Sequence, residues 1–158
     1  MASEIKDKLT TPAALTITLA SLASSTTFVG RQSTLVDNTT NRYSLIHLFN
    51  KFTQGTTPTG NKGAYVFGIR GDKDATTPHR SDNAGASDAA WTRNNAEFLN
   101  VGRNLASPAT GDVIYIESFI VNPGPEWGIG VYHDTVAALN STGTNHWARW
   151  VGNNPEAQ

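Results

Sequence analysis

Residues 112–133 read DVIYIESFIVNPGPEWGIGVYH, and this stretch decides the fold class. Ile114, Ile116 and Ile120 share one parity, and Tyr115, Glu117 and Phe119 share the other. A period of two places successive side chains on opposite faces of a strand. The run ends at Asn122-Pro123-Gly124-Pro125, where two prolines remove backbone donors and fix φ, so the strand must stop there. Trp127, Ile129 and Val131 then alternate with small or polar residues along a second strand, 127–133.

Outward from this pair the same rhythm recurs. Strands are expected at 15–19, at 26–36 with a bend at Gly30-Arg31, and at 43–52, 64–70 and 146–151, with a weaker one at 97–101. Asp37-Asn38-Thr39-Thr40-Asn41 is a turn cluster, and QGTTPTGNK at 54–62 is a Gly/Pro/Thr connection. No window of twelve residues carries a helical stripe. Many short strands with turn signals and no helices between them predict an all-β fold, a jelly-roll-like β-sandwich of about eight short antiparallel strands. Its core should collect Leu15, Ile17, Leu19, Phe28, Leu45, Phe49, Tyr65, Phe67, Ile69, Ile114, Ile116, Ile120, Trp127, Ile129 and Val131. Buried large apolar side chains contribute roughly 1.5–3 kcal/mol each, enough for one core.

The 158 residues fit one domain. The reading divides them into an extended polar arm at 1–12, a sandwich domain at 13–153 and a tail at 154–158. The arm could pair along a neighbour's sheet edge. Within the domain, 71–92 (GDKDATTPHRSDNAGASDAAWT) holds little besides Trp91 that could pack. It reads as a long excursion that orders against a neighbour. Leu15, Ile17 and Leu19 alternate with Ala14, Thr16 and Thr18, so this segment is expected to be a strand and not an export leader. No run is long enough to span a membrane as a helix.

Twelve basic residues against thirteen acidic ones give a net charge of -1. No basic stripe exists for nucleic acid. The absence of cysteine excludes disulfides and thiol chemistry and fits assembly in a reducing cytoplasm.

The sequence carries no catalytic constellation. There is no G-x-S-x-G elbow and no phosphate-binding glycine loop. Asp72, Asp74, Asp82, Asn83 and Asp88 could gather oxygen ligands for calcium, but aspartates in such loops usually cap turns. The histidines His47, His79, His133 and His146 lie in separate segments with no paired spacing. Glu117, Glu126 and Asp134 are the carboxylates that a jelly-roll glycosidase could place across a concave sheet, although a mid-strand glutamate is more often solvent-facing or an interface partner. No enzymatic activity, cofactor or metal is therefore expected. Aromatic residues concentrate in the last third, and exposed Trp serves both protein interfaces and sugar stacking. Trp147 and Trp150, three apart, should point to opposite faces of their strand. The residues expected at an interface are Trp91, Tyr132, His133, Trp147 and Trp150.

WGIGVYHDTVAALNSTGTNHWARW at 127–150 is similar to a segment of small structural proteins of tailed bacteriophages. LTITLASLASSTTFVGRQS at 15–33, LVDNTTNRY at 35–43 and QGTTPTGNKG at 54–63 resemble the same group, in the same order, while the 71–92 loop lies outside the resemblance. The resemblance implies a virion component, a capsid decoration or cement protein with a jelly-roll fold on the outer capsid surface, made in the bacterial host cytoplasm. Its partners would be the major capsid protein of the same phage and further copies of itself, as homotrimer or homodimer. The alternative is a carbohydrate-binding module of a phage surface or tail fibre, binding a surface glycan.

Overall fold

In the computed structural model, residues 5–81, 85–91 and 97–157 are described. Eleven strands follow one another: β1 (Ile5–Leu9), β2 (Ala13–Leu15), β3 (Val29–Gln32), β4 (Val36–Asp37), β5 (Leu45–Thr53), β6 (Gly63–Gly71), β7 (Ala89–Ala90), β8 (Glu97–Arg103), β9 (Val113–Val121), β10 (Glu126–His133) and β11 (Trp147–Ala157). A 3-10 turn at Gly143–Asn145 precedes β11.

The strands form two antiparallel sheets. In the front sheet β1 and β2 both pair β11, which pairs β5, which pairs β9. In the back sheet β3 and β4 both pair β10, followed by β6 and β8, with β7 outside β3. Taking β1/β2 and β3/β4 as broken strands, and setting the two-residue β7 aside, leaves eight positions in chain order. The sheets then run 1-8-3-6 and 2-7-4-5. That interleaving of two Greek keys is the jelly roll, in agreement with the sequence reading.

The core lies between the sheets. β9 contributes Ile114, Ile116 and Ile120, and β10 contributes Trp127, Ile129 and Val131. Ile46, Leu48 and Phe52 of β5, Ala64 and Val66 of β6, and Leu15, Leu19, Leu22 and Leu139 complete it. Strand β10 is buried at every residue, because the core covers one side and other parts of the chain cover its back. Gly128 and Gly130 stand on that back. A Cβ at Gly128 would lie 2.8 Å from Leu35, and one at Gly130 would lie 1.9 Å from the Trp91 ring.

Several expectations are corrected. On β5 the inward set is Ile46, Leu48, Asn50 and Phe52, so Leu45 and Phe49 face outward. Apolar residues occupy both parities of LIHLFNKF, and the outward parity also carries His47 and Lys51. Burying those two would cost more than burying Asn50, whose amide donates to the Ile116 carbonyl at 3.3 Å. On β6, Tyr65 and Phe67 belong to a second cluster with Phe28, Trp91 and Tyr132 on the back of the sheet.

The segment expected as a strand at 15–19 leaves the ladder after Leu15. The Arg31 guanidinium takes up the carbonyls of Thr18 and Ala20 at 3.0 and 2.9 Å, which substitutes for strand pairing. The segment 26–36 is divided into β3 and β4.

Over Ile5–Leu9 the arm is itself a strand of the front sheet. It pairs with the end of β11, from Ile5↔Ala157 to Leu9↔Asn153, so residues 154–157 are strand and not a loose tail. The Gly152 carbonyl accepts from Thr10 on the β1 side and the Asn153 carbonyl from Ser44 on the β5 side. By alternation Pro155 faces the side where β5 has ended. A proline there removes no ladder bond and takes a donor off an open edge.

Candidate functional site

The two outer faces of the sandwich differ. The back face is covered by the 71–92 excursion, whose described residues include β7 on the edge of β3 and Trp91 packed into the notch above Gly130. Trp91 meets Phe67 edge-on at 5.3 Å, and Tyr132 stacks on Tyr65 at 4.5 Å. The front face carries no such cover from the described chain.

Cross-strand register assembles the front face row by row from β9, β5 and β11. The rows are Val121–Leu45–Asn153, Phe119–His47–Val151, Glu117–Phe49–Arg149 and Tyr115–Lys51–Trp147. Val113 extends it on β9. Tyr115 is 66% exposed, Val121 58% and Phe119 50%. Apolar side chains this large and this exposed, set side by side on one surface, make this face the candidate interaction site.

Within the face His47 stacks on Phe119 at 4.2 Å and lies 4.0 Å from Phe49, ring centre to ring centre. Its Nε2 is 3.7 Å from Glu117 Oε2. The Arg149 guanidinium lies over the Trp147 ring at 4.8 Å, a cation–π contact that braces both side chains. A cavity of about 180 Å³ opens between Phe49, Tyr115, Glu117 and Trp147. The face offers apolar area with one acid, Glu117, two cations, Lys51 and Arg149, and the His47 imidazole.

Of the five residues expected at an interface, only Trp147 belongs to this face. Trp150 points inward as its odd separation requires, packing on Trp127 at 5.3 Å and Tyr43 at 5.7 Å. Trp91 and Tyr132 are buried under the chain's own loop. His133 is wholly buried. Its Nε2–H donates to the Leu22 carbonyl at 2.9 Å, and Nδ1 meets the Thr135 hydroxyl at 2.9 Å. The face also carries His47, Phe49, Tyr115, Phe119 and Val121, which were not among the five. Their signal was present in VIYIESFIV, which is apolar on both parities.

The other candidates are dispersed. Glu126 sits on the back face in an ion pair with Arg80 at 3.0 Å, and Asp134 accepts the Gly63 N–H at 2.7 Å. Glu117 projects from the opposite outer face, so these carboxylates cannot act as a pair on one bond. Asp72 accepts the N–H groups of Asp74 and His79, and Asp74 those of Thr76 and Thr77. Those bonds lower the pKa of both carboxyls and make them turn caps. Asp88 pairs with Arg31, and Asp82 and Asn83 lie outside the described residues. Among the described residues no three His, Asp or Glu side chains gather to hold a metal. No helix among them is long and apolar enough to cross a membrane. A cleft of about 530 Å³ beside Arg42 and Tyr43 is lined by an Asn38 amide already given to the Tyr43 and Gly124 carbonyls.

His133 and His146 yield a pH prediction. His146 Nδ1 accepts the Thr53 N–H at 3.2 Å, and its Nε2–H donates to the Asn140 carbonyl at 2.8 Å. Burial is the main cause that pushes both pKa values down. In mild acid the unfolded chain therefore binds protons that the native state does not. Stability from these groups is complete above about pH 6.5, the unfolded value. It falls as pH drops from there towards the folded values, by up to about 1.4 kcal/mol per pH unit for each histidine. Urea midpoints measured from about pH 8 to about pH 5 should decline within this window, before most carboxylates titrate. A flat profile would contradict the buried neutral assignment.

No protein-family model matches the chain, and neither a curated protein nor a solved structure does. The functional reading therefore rests on the face itself and on the sequence resemblance given above.

Proposed function

We propose that the chain is a bacteriophage virion structural protein, a decoration or cement protein that settles on the outer capsid surface and stabilises contacts between capsomers. The observation that carries this reading is the bare front face, a flat field of Tyr115, Phe119, Phe49 and Trp147 that gains most by being covered with protein. Jelly rolls serve viral capsids and lectins alike, so the fold supports the reading only by analogy. The bacteriophage assignment comes from the sequence resemblance.

The mechanism is mass action. A protein that binds only the assembled shell stabilises it by RT ln(1 + [L]/Kd), and many copies add. The partners are the major capsid protein and further copies of this chain, and the place of action is the virion surface.

The test is cosedimentation of the purified protein with capsid shells that lack it. Wild type should pellet with the shells, and Phe119→Lys should weaken that binding at least about tenfold, since it disrupts the apolar contact with protein, capsid or further copy, on which multivalent attachment depends. Phe119 is half exposed, so the variant should fold normally, which its unfolding midpoint checks. Failure of the wild type to pellet would overturn the reading.

A carbohydrate-binding module is the second reading, favoured by the cavity of about 180 Å³ beside Tyr115 and Trp147, whose rings could stack on a sugar. Retention on a glycan column without binding to shells would establish it instead.

A further inference from the structure

We propose that the front face is covered by a second copy of this chain, the two faces meeting about a two-fold axis that runs along β5. The inference rests on reading that face as a protein interface and adds the identity of its partner.

The charge pattern singles out this occupant. In the central row Glu117 lies on β9, Phe49 on β5 and Arg149 on β11. A two-fold along β5 exchanges the β9 and β11 sides. Glu117 then stands opposite Arg149 of the partner subunit, the reciprocal pair forms across the axis, and Phe49 meets its own copy. The same operation sets Tyr115 against Trp147 of the partner subunit, and Phe119 against Val151 of the partner subunit. Such a contact is isologous and closed, which is how most homodimers are built.

Both members of the charged pair are disposed for it. Glu117 is 69% exposed, and its nearest ionisable neighbour in the chain is His47 at 3.7 Å. Arg149 is exposed and braced over Trp147, and among the described residues no carboxylate lies within ion-pair distance of it. Lys51, the remaining charge, lies near the end of β5, where its long stem can carry the ammonium to the rim.

The size is also adequate. Three strands about 4.8 Å apart and nine residues long at about 3.4 Å each give a planar footprint of about 440 Å². Two such flat surfaces amount to about 900 Å², and the relief of the aromatic side chains brings the contact to the roughly 1,000 Å² that a specific interface should clear. Sheets packed face to face cross at about -30°, a rotation the axis accommodates. The loop-covered back face remains free to meet another partner.

The purified full chain is tested by sedimentation velocity at sub-millimolar concentration, with cosedimentation on shells run in parallel. Wild type should sediment as a dimer. Arg149→Glu and Glu117→Arg should each weaken dimerisation by about tenfold or more, and the double variant should restore it, because the reversed charges face one another again. Phe119→Lys should be monomeric and still unfold cooperatively, with a midpoint that no longer rises with protein concentration. A monomeric wild type, or a double variant no better than the single ones, would overturn the inference. If a monomeric wild type still pellets with shells, the face is the capsid contact and only the choice of partner falls. If the chain dimerises as described yet ignores shells, the dimer stands and the capsid reading falls.

Discussion

Replacing Trp127 with alanine should lower the stability of this protein by about 3–5 kcal/mol, the range for removing a large aromatic from a packed core. Trp127 has no exposed surface. It lies on β10, paired with Val36 of β4 on one side and Arg70 of β6 on the other. Its ring meets Trp150 edge-on at 5.3 Å, so one side chain links the back sheet to the front. Neighbours held by two ladders cannot close in on the space, and the cavity cost adds to the lost transfer energy. For a domain of this size each kcal/mol lowers Tm by about 2–4 °C, so a fall of about 10 °C or more is expected. Trp150→Ala should cost less, because that ring is only half-buried. Urea unfolding with an unchanged m-value measures both. A loss of under about 1 kcal/mol for Trp127→Ala would show that the sheets collapse onto the gap.

The second large effect is expected at Gly130, where a single methyl group should dislodge the cover of the back face. A Cβ there would stand 1.9 Å from Trp91 Cη2 and 2.3 Å from Cζ2, distances that no side-chain adjustment of a tenth of an ångström relieves. Strand β10 is held on both edges, so the indole must move. Its departure uncovers Phe67 and Tyr132. Gly130→Ala should therefore cost about 2–4 kcal/mol, close to Trp91→Ala itself. Proteolysis should reach the 71–92 segment, and the tryptophan emission should shift to the red. The two substitutions remove the same interaction, so the double variant should cost little more than either alone. Additive losses would mean that Trp91 is not what fills the notch.

These two sites show how differently the parts of the structure could be read. The inward parity of β9 and β10 follows from Ile114, Ile116, Ile120 and Trp127, Ile129, Val131, because a strand has only two faces and one set is uniformly apolar. Turns at 37–41 and 122–125 follow from residues whose backbone preferences are local. On β5 both parities were apolar, and only the pairing of its neighbours, with the cost of burying His47 and Lys51, settled that Phe49 turns outward. The aromatic candidates were misplaced for a related reason. Trp91, Tyr132 and His133 carry the side chains of an interface, but whether a side chain meets solvent depends on what the rest of the chain lays over it.

The sequence by itself determined an all-β sandwich of jelly-roll type, the parity of its clearest strands and the opposite orientations of Trp147 and Trp150, since alternation and turn chemistry act over a few residues. The tertiary structure alone decided which outer face is bare. The 71–92 segment spends its one large aromatic on Gly130 of the back sheet, so Tyr115, Phe119, Phe49 and Trp147 of the front sheet remain uncovered. Burial of that kind joins residues far apart in the chain, and no local pattern records it.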